Sequence, residues 1–205
     1  MKVSQNKSPR LSICFSLLLP FVLIDEPWAR ADIQRFRLTA DGSQIRSTID
    51  DPFGNVVNGT FRLTSGEARG DVERLAETAS VSLTIDAPSY NSNIGLRDQD
   101  VQEYYLEVKQ YPTIRFESTG VVNTERPRSN TEPWLITFKG GLELHGVKRE
   151  ILLPVRVFYQ GSKIVAQGQF RLLLENFNIA VPRLLFVKAG NTVQVDFRIV
   201  GERQP

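Results

Sequence analysis

Across 205 residues there is one cysteine, one histidine and one methionine. The cysteine, Cys14, stands in an apolar run near the N-terminus, so the chain beyond it has none. Disulfide staples, thiolate nucleophiles, cysteine zinc sites and haem attached through a C-x-x-C-H motif are excluded there. A lone histidine, His145, rules out a metal centre built from several imidazoles, and no G-x-S-x-G nucleophile elbow occurs. Carboxylate-only metal sites stay open on composition, but no catalytic residue and no metal ligand is assigned from the sequence. Low-complexity tracts, long repeats and a second compositional domain are also missing.

The chain lacks a charge excess once its N-terminus is set aside. Lys2, Lys7 and Arg10 precede the apolar run Leu11–Ile24, and Ala29-Arg30-Ala31 supplies a small-x-small cleavage site, the three parts of a secretory signal over residues 1–31. Fourteen helical residues reach roughly 21 Å at about 1.5 Å per residue, short of a hydrocarbon core of about 30 Å. Removing the leader's four basic and two acidic residues from 25 and 23 leaves 21 of each. A nucleic-acid partner, which calls for a basic surplus, is not expected. The expectation is a single domain over residues 32–205, secreted or periplasmic, with no transmembrane span after leader removal.

What is present is alternation with a period of two, the mark of strands with one wet face. Val81, Leu83 and Ile85 alternate with Ser82, Thr84 and Asp86. Trp134, Ile136, Phe138, Leu142 and Leu144 share one face, opposite Thr137, Lys139, Glu143 and His145. Ile151, Leu153, Val155 and Val157 continue the pattern, then Phe170, Leu172 and Leu174, and finally Val193, Val195, Phe197 and Ile199. Turn signals at Asp41-Gly42, Asn58-Gly59, Ser65-Gly66, His145-Gly146 and Gln160-Gly161-Ser162 are read as separators between strands. Short connections favour an antiparallel meander. Pro154, with no N–H to give a ladder, belongs at an edge, bend or bulge.

One segment follows a helical period. Val101, Tyr104, Tyr105 and Val108 fall at i, i+3, i+4 and i+7, Asp100 with Glu103 resembles a capping box, and Pro112 ends the run. Asp98 and Asp100 are read as carboxylates leading into this helix, with Arg97 paired to one of them. Residues 123–133 read as an exposed loop. An all-β chain of about eight strands with one short helix can form a sandwich or a closed barrel, and a barrel of that size is either filled by side chains or hollow enough for one small ligand.

LRDQDVQEYYLEVKQYPTIRFEST followed by GGLELHGVKREILLPV resembles the YceI-like family of secreted lipid-binding proteins. The resemblance spans about residues 33–200 and is carried by Arg97-Asp98, Tyr104-Tyr105, Tyr111-Pro112-x-Ile114-x-Phe116-x-Ser118, Leu142-x-Leu144-His145-Gly146-Val147 and Phe177-x-Ile179. It implies a lipocalin-like, up-and-down antiparallel β-barrel of about eight strands, with a long isoprenoid chain held in the lumen. On that reading the lumen candidates are Leu83, Ile85, Ile114 and Phe116, then Trp134, Ile136, Phe138 and Leu142, then Phe170, Leu172, Val195 and Phe197. Arg97, Tyr104, Tyr105 and His145 are candidates for the mouth or a headgroup contact. The bound partner is an isoprenoid or other long-chain amphiphile, no other cofactor is expected, and a homodimer stays open as an arrangement. Two rivals remain: an enzyme acting on a lipid or quinone with His145 or Asp98 as base, and an interaction protein whose barrel is filled.

Overall fold

The computed structural model describes residues 32–51, 53–129, 131–184, 187–188 and 190–205. The expected leader, with Cys14, lies outside the described residues. Among these residues eight long strands close an antiparallel barrel: β1 (Gln34–Asp50), β2 (Val56–Gly70), β3 (Ser80–Asn91), β4 (Thr113–Glu125), β5 (Trp134–Leu144), β6 (Val147–Gln160), β7 (Lys163–Leu173) and β10 (Thr192–Arg203). The first seven pair in chain order, and β10 closes the ring between β7 and β1. A two-stranded ribbon, β8 (Arg183–Leu184) with β9 (Val187–Lys188), stands outside the ring. The barrel, not the sandwich, is the answer to the alternation: it leaves no sheet edge where the ladder is complete.

The hairpins divide the barrel into two ends. At one end lie the β1–β2 turn, the helical segment after β3, the β5–β6 turn, and the 3-10 turn Leu174–Phe177 that follows β7. The other end is covered by a 3-10 turn (Val72–Arg74) and α1 (Leu75–Thr78), a small helical plug that the sequence reading does not contain. Asp71 anchors it. Its carboxylate accepts the Glu73 N–H at 3.0 Å and the Arg74 Nε–H at 3.3 Å, and its own N–H donates to Thr78 Oγ1 at 2.9 Å. The Glu73 bond, followed by the Arg74 contact, holds the Asp71 carboxyl below its ordinary value against the opposing effect of burial.

Three of the five turn signals lie inside strands. Asp41-Gly42 interrupts β1 as a bulge, with the pairing to β10 shifting between Thr39 and Gln44 and Gly42 at φ 72°. Asn58-Gly59 and Ser65-Gly66 both lie within β2. At Gly59 the need is space: a Cβ there would come within 2.2 Å of the Tyr90 ring, which crosses the strand at this point. The true β1–β2 turn is at Asp51, whose carboxylate accepts the Phe53 and Asn55 N–H groups at 2.8 Å each. His145-Gly146 and Gly161-Ser162 do turn the chain, with positive φ at His145, Gly146 and Gly161. The loop expected over 123–133 starts later, because β4 runs to Glu125.

Candidate functional site

Two apolar cavities lie along the barrel axis. The larger, about 200 Å³, lies toward the end that carries the β1–β2 turn and is walled by every long strand. A second, about 80 Å³, lies toward the plugged end, where Leu75 and Ala79 form part of its wall. Leu83, Leu153, Phe197 and Ile199 line both, so they form a waist between two chambers. An apolar cavity of about 150 Å³ lined by similar side chains stays dry and takes benzene, and the larger chamber has at least that much room. The rival of a filled barrel is not what the interior shows.

The strands place the expected lumen residues unequally. Leu83, Ile85, Ile114, Phe116, Leu142, Phe170, Leu172, Val195 and Phe197 line the larger chamber. Ile136 and Phe138 line the smaller. Trp134 lines neither: it begins β5 at the plugged end, half-buried, with the Arg126 guanidinium 5.5 Å from its ring centroid. Wall residues that the sequence reading did not nominate include Ile45 and Ile49 of β1, Phe61 of β2, Tyr90 of β3 and Ile151 of β6.

One end of the larger chamber is covered by α2 (Gly95–Asp100) running into a π-helical turn (Val101–Tyr105). Val101, Tyr105 and Leu106 face the chamber, while Tyr104 is 66% exposed. The reason is the wider turn. Leu106 N–H donates to the Val101 carbonyl at 2.8 Å, an i to i+5 bond, so the i+3 position rotates out of the apolar stripe. Asp100 does not cap the helix: its backbone is helical, and the N-cap is Ile94. Nor do Asp98 and Asp100 precede it. Asp98 accepts from the Ser92 N–H at 2.7 Å and the Ser92 hydroxyl at 2.6 Å, tying α2 to the end of β3. Among the described residues Arg97 forms no ion pair with either carboxylate. It lies near Asp51, whose carboxyl is held below its ordinary value chiefly by the Asn55 side chain and in small part by Arg97.

His145 sits at the same end as a clamp. Its Nδ1 lies 3.1 Å from the Phe177 carbonyl oxygen and so must donate, while Nε2 faces Glu107 Oε2 at 2.7 Å. Both partners are acceptors, so the Glu107 contact is a hydrogen bond only when a further proton lies between the two atoms. The Tyr111 ring packs edge-on against the imidazole at 4.6 Å between centroids. Three segments meet here: the β5–β6 turn, the residues after the π-turn, and the 3-10 turn Leu174–Phe177. His145 is nearly enclosed, with 10% of its side chain exposed. Among the described residues no group of three His, Cys, Asp or Glu side chains is arranged to hold a metal ion.

Comparison with known proteins agrees with this architecture. A family model described as the YceI-like domain matches residues 36–201. A UPF0312 protein from Azotobacter vinelandii is 30% identical over 128 residues, covering 59% of this chain and 62% of the relative. The chain thus spans less than two thirds of that curated relative's length. The crystal structure of BcnA from Burkholderia cenocepacia superposes with a TM-score of 0.66 at 19% identity, covering 80% of this chain and 98% of that one. A polyisoprenoid binding domain from Saccharophagus degradans, implicated in plant cell wall breakdown, gives 0.62 at 19% identity over 82% and 98%. The YceI protein of Campylobacter jejuni gives 0.52 at 20% identity over 73% and 85%. At such identities the structures speak for a shared fold.

Proposed function

The chain belongs to the YceI-like family, and from that premise we propose that it binds a long-chain amphiphile of isoprenoid type in its barrel lumen, for carriage or sequestration. The observation that carries the reading is the larger chamber, about 200 Å³ of space walled almost wholly by aliphatic and aromatic side chains. A prenyl chain has a long apolar surface and no hydrogen-bonding groups. Each Å² removed from water contributes about 25 cal/mol, so covering about 400 Å² is worth on the order of 10 kcal/mol before ordering costs are subtracted. No catalytic group is needed, and none is assigned. The polyisoprenoid-binding activity named for the Saccharophagus degradans domain is consistent with this chemistry.

Export accompanies this reading. The leader features of residues 1–31 support a location in the periplasm or outside the cell, with the mature chain starting near Asp32. N-terminal sequencing of protein from a periplasmic extract tests that part. The binding itself is tested by native mass spectrometry of protein purified without delipidation, followed by titration of the stripped barrel with geranylgeraniol. The expected result is a stoichiometric lipid-sized adduct and saturable binding that Leu142→Trp, which puts an indole into the larger chamber, weakens at least tenfold. A stripped barrel that binds no polyprenyl alcohol overturns the proposal.

A further inference from the structure

The barrel wall is not equally closed all the way round. Pairing between β6 and β7 runs from Gln160↔Lys163 to Val155↔Gly168. Beyond that point β6 continues back to Val147, bonded to β5, and β7 continues to Leu173, bonded to β10. Among the described residues no pairing joins the two strands there. Pro154 stands where the ladder stops, and having no N–H it cannot extend it. The β6 edge is held instead by Arg149, whose Nε–H donates to the Asn176 carbonyl at 2.9 Å.

The split opens a groove on the outside of the barrel. Ile151 and Leu172 line this groove and also line the larger chamber, so two aliphatic side chains separate the lumen from the outer surface. Arg149 and Arg171 flank them in the groove, with Glu150 and Asn176 as the other polar lining groups. Glu150 already has a cation, Lys139 Nζ, at 3.2 Å. Neither arginine is within 4 Å of a carboxylate among the described residues, and both are exposed. Arg149 pairs across the ladder with Leu142, a lumen residue, so it shares the inward parity of β6, yet its side chain is exposed and lines the groove. At the helix-covered end, by contrast, Val101, Tyr105 and Leu106 close over the chamber.

We propose that the β6–β7 split is a lateral portal, through which an alkyl or prenyl chain lies in the lumen while an anionic headgroup, phosphate or carboxylate, is held outside by Arg149 and Arg171. The inference rests on the lumen-binding reading and adds the headgroup class and the wall it faces. Guanidinium groups suit this task because their planar N–H pairs match the oxygens of a phosphate or carboxylate. An amphiphile needs such a boundary: its chain gains by leaving water, and its charge loses by following.

Two probes of identical chain, geranylgeranyl monophosphate and geranylgeraniol, separate the parts in titrations of the full mature protein at low ionic strength. The phosphate is expected to bind at least tenfold more tightly than the alcohol, with the preference shrinking as salt is raised. Arg149→Gln/Arg171→Gln is expected to erase the preference while the variant still binds the alcohol. Arg156→Gln, an exposed arginine on the paired part of β6, is expected to change neither. Equal affinity of the two probes for the parent protein overturns the headgroup site while leaving lumen binding intact. A preference that survives the double variant but disappears in Arg97→Gln places the headgroup at the helix-covered end and overturns the portal. Failure of both probes to bind overturns the lumen reading and this inference with it.

Discussion

Tyr90 shows how one residue couples stability to the lumen. It is 8% exposed, its ring lies 5.3 Å from that of Phe61, and it occupies the space that Gly59 leaves on β2. Burial, then the nearby Asp98 carboxylate, raises its phenol above the ordinary value of 10.0. A raised acid keeps its proton in the folded state after the unfolded chain has lost it, so stability is intact below pH 10 and falls as pH climbs through the folded value. Tyr159, raised by burial at the other end, acts in the same direction. Tyr90→Phe keeps the ring and removes the ionisation. Urea midpoints measured from pH 8 to 11 are expected to decline less steeply for the variant; an unchanged slope would show that Tyr90 does not couple to alkaline unfolding. None of this was legible in the sequence, where Tyr90 stands among Ser, Asn and Pro with no periodic neighbour to mark it as a wall residue.

At the scale of the element, legibility follows the regularity of the pleat. β5, β6 and β10 keep one parity from end to end, and their inward faces are read straight from alternation: Ile136 to Leu144, Ile151 to Val157, Val193 to Ile199. β1 does not. Phe36 and Leu38 are buried at even positions and Ile45 at an odd one, because the bulge around Gly42 shifts the register against β10 by three residues, an odd number that turns the remainder over. β2 and β3 change parity in the same way, with Leu63 buried in one and Tyr90 in the other, beside irregular pairing between them. A parity change across a glycine in β1 and β2, and across Pro88 in β3, is the signal that would have joined these halves into single curved strands. The β6–β7 split has a sequence mark too, Pro154, but alternation on each strand is undisturbed by it, so the missing ladder is visible in space alone. Hydrogen exchange tests it directly. Amides along Lys148–Leu153 and Gln169–Leu173 that face the split are expected to exchange faster than those along Val155–Gln160, whose ladder is complete. Uniform protection along β6 would show that the strands close in solution.

For the whole molecule the question is how far into the barrel a guest can reach. The waist of Leu83, Leu153, Phe197 and Ile199 divides the interior into chambers of about 200 and 80 Å³, and Phe197 contributes the only ring among the four. That ring is pressed against the opposite strand, since a Cβ on Gly168, its partner in the β7–β10 ladder, would lie 2.5 Å from its tip. The glycine fixes the ring, and the ring fixes the waist. Phe197→Ala removes it and joins the chambers, at a cost of up to about 3–5 kcal/mol for an aromatic deletion in a packed interior. The empty variant is therefore expected to unfold at lower urea than the parent. Binding acts oppositely, because a guest at 100 times its dissociation constant stabilises the folded state by about 2.7 kcal/mol. If the waist limits chain length, the variant's affinity for geranylgeraniol relative to farnesol rises at least tenfold over the parent's ratio, and its lost stability returns preferentially with the longer chain. Equal gains for both chains would mean that the guest stops short of Phe197 and that the larger chamber alone sets what this barrel holds.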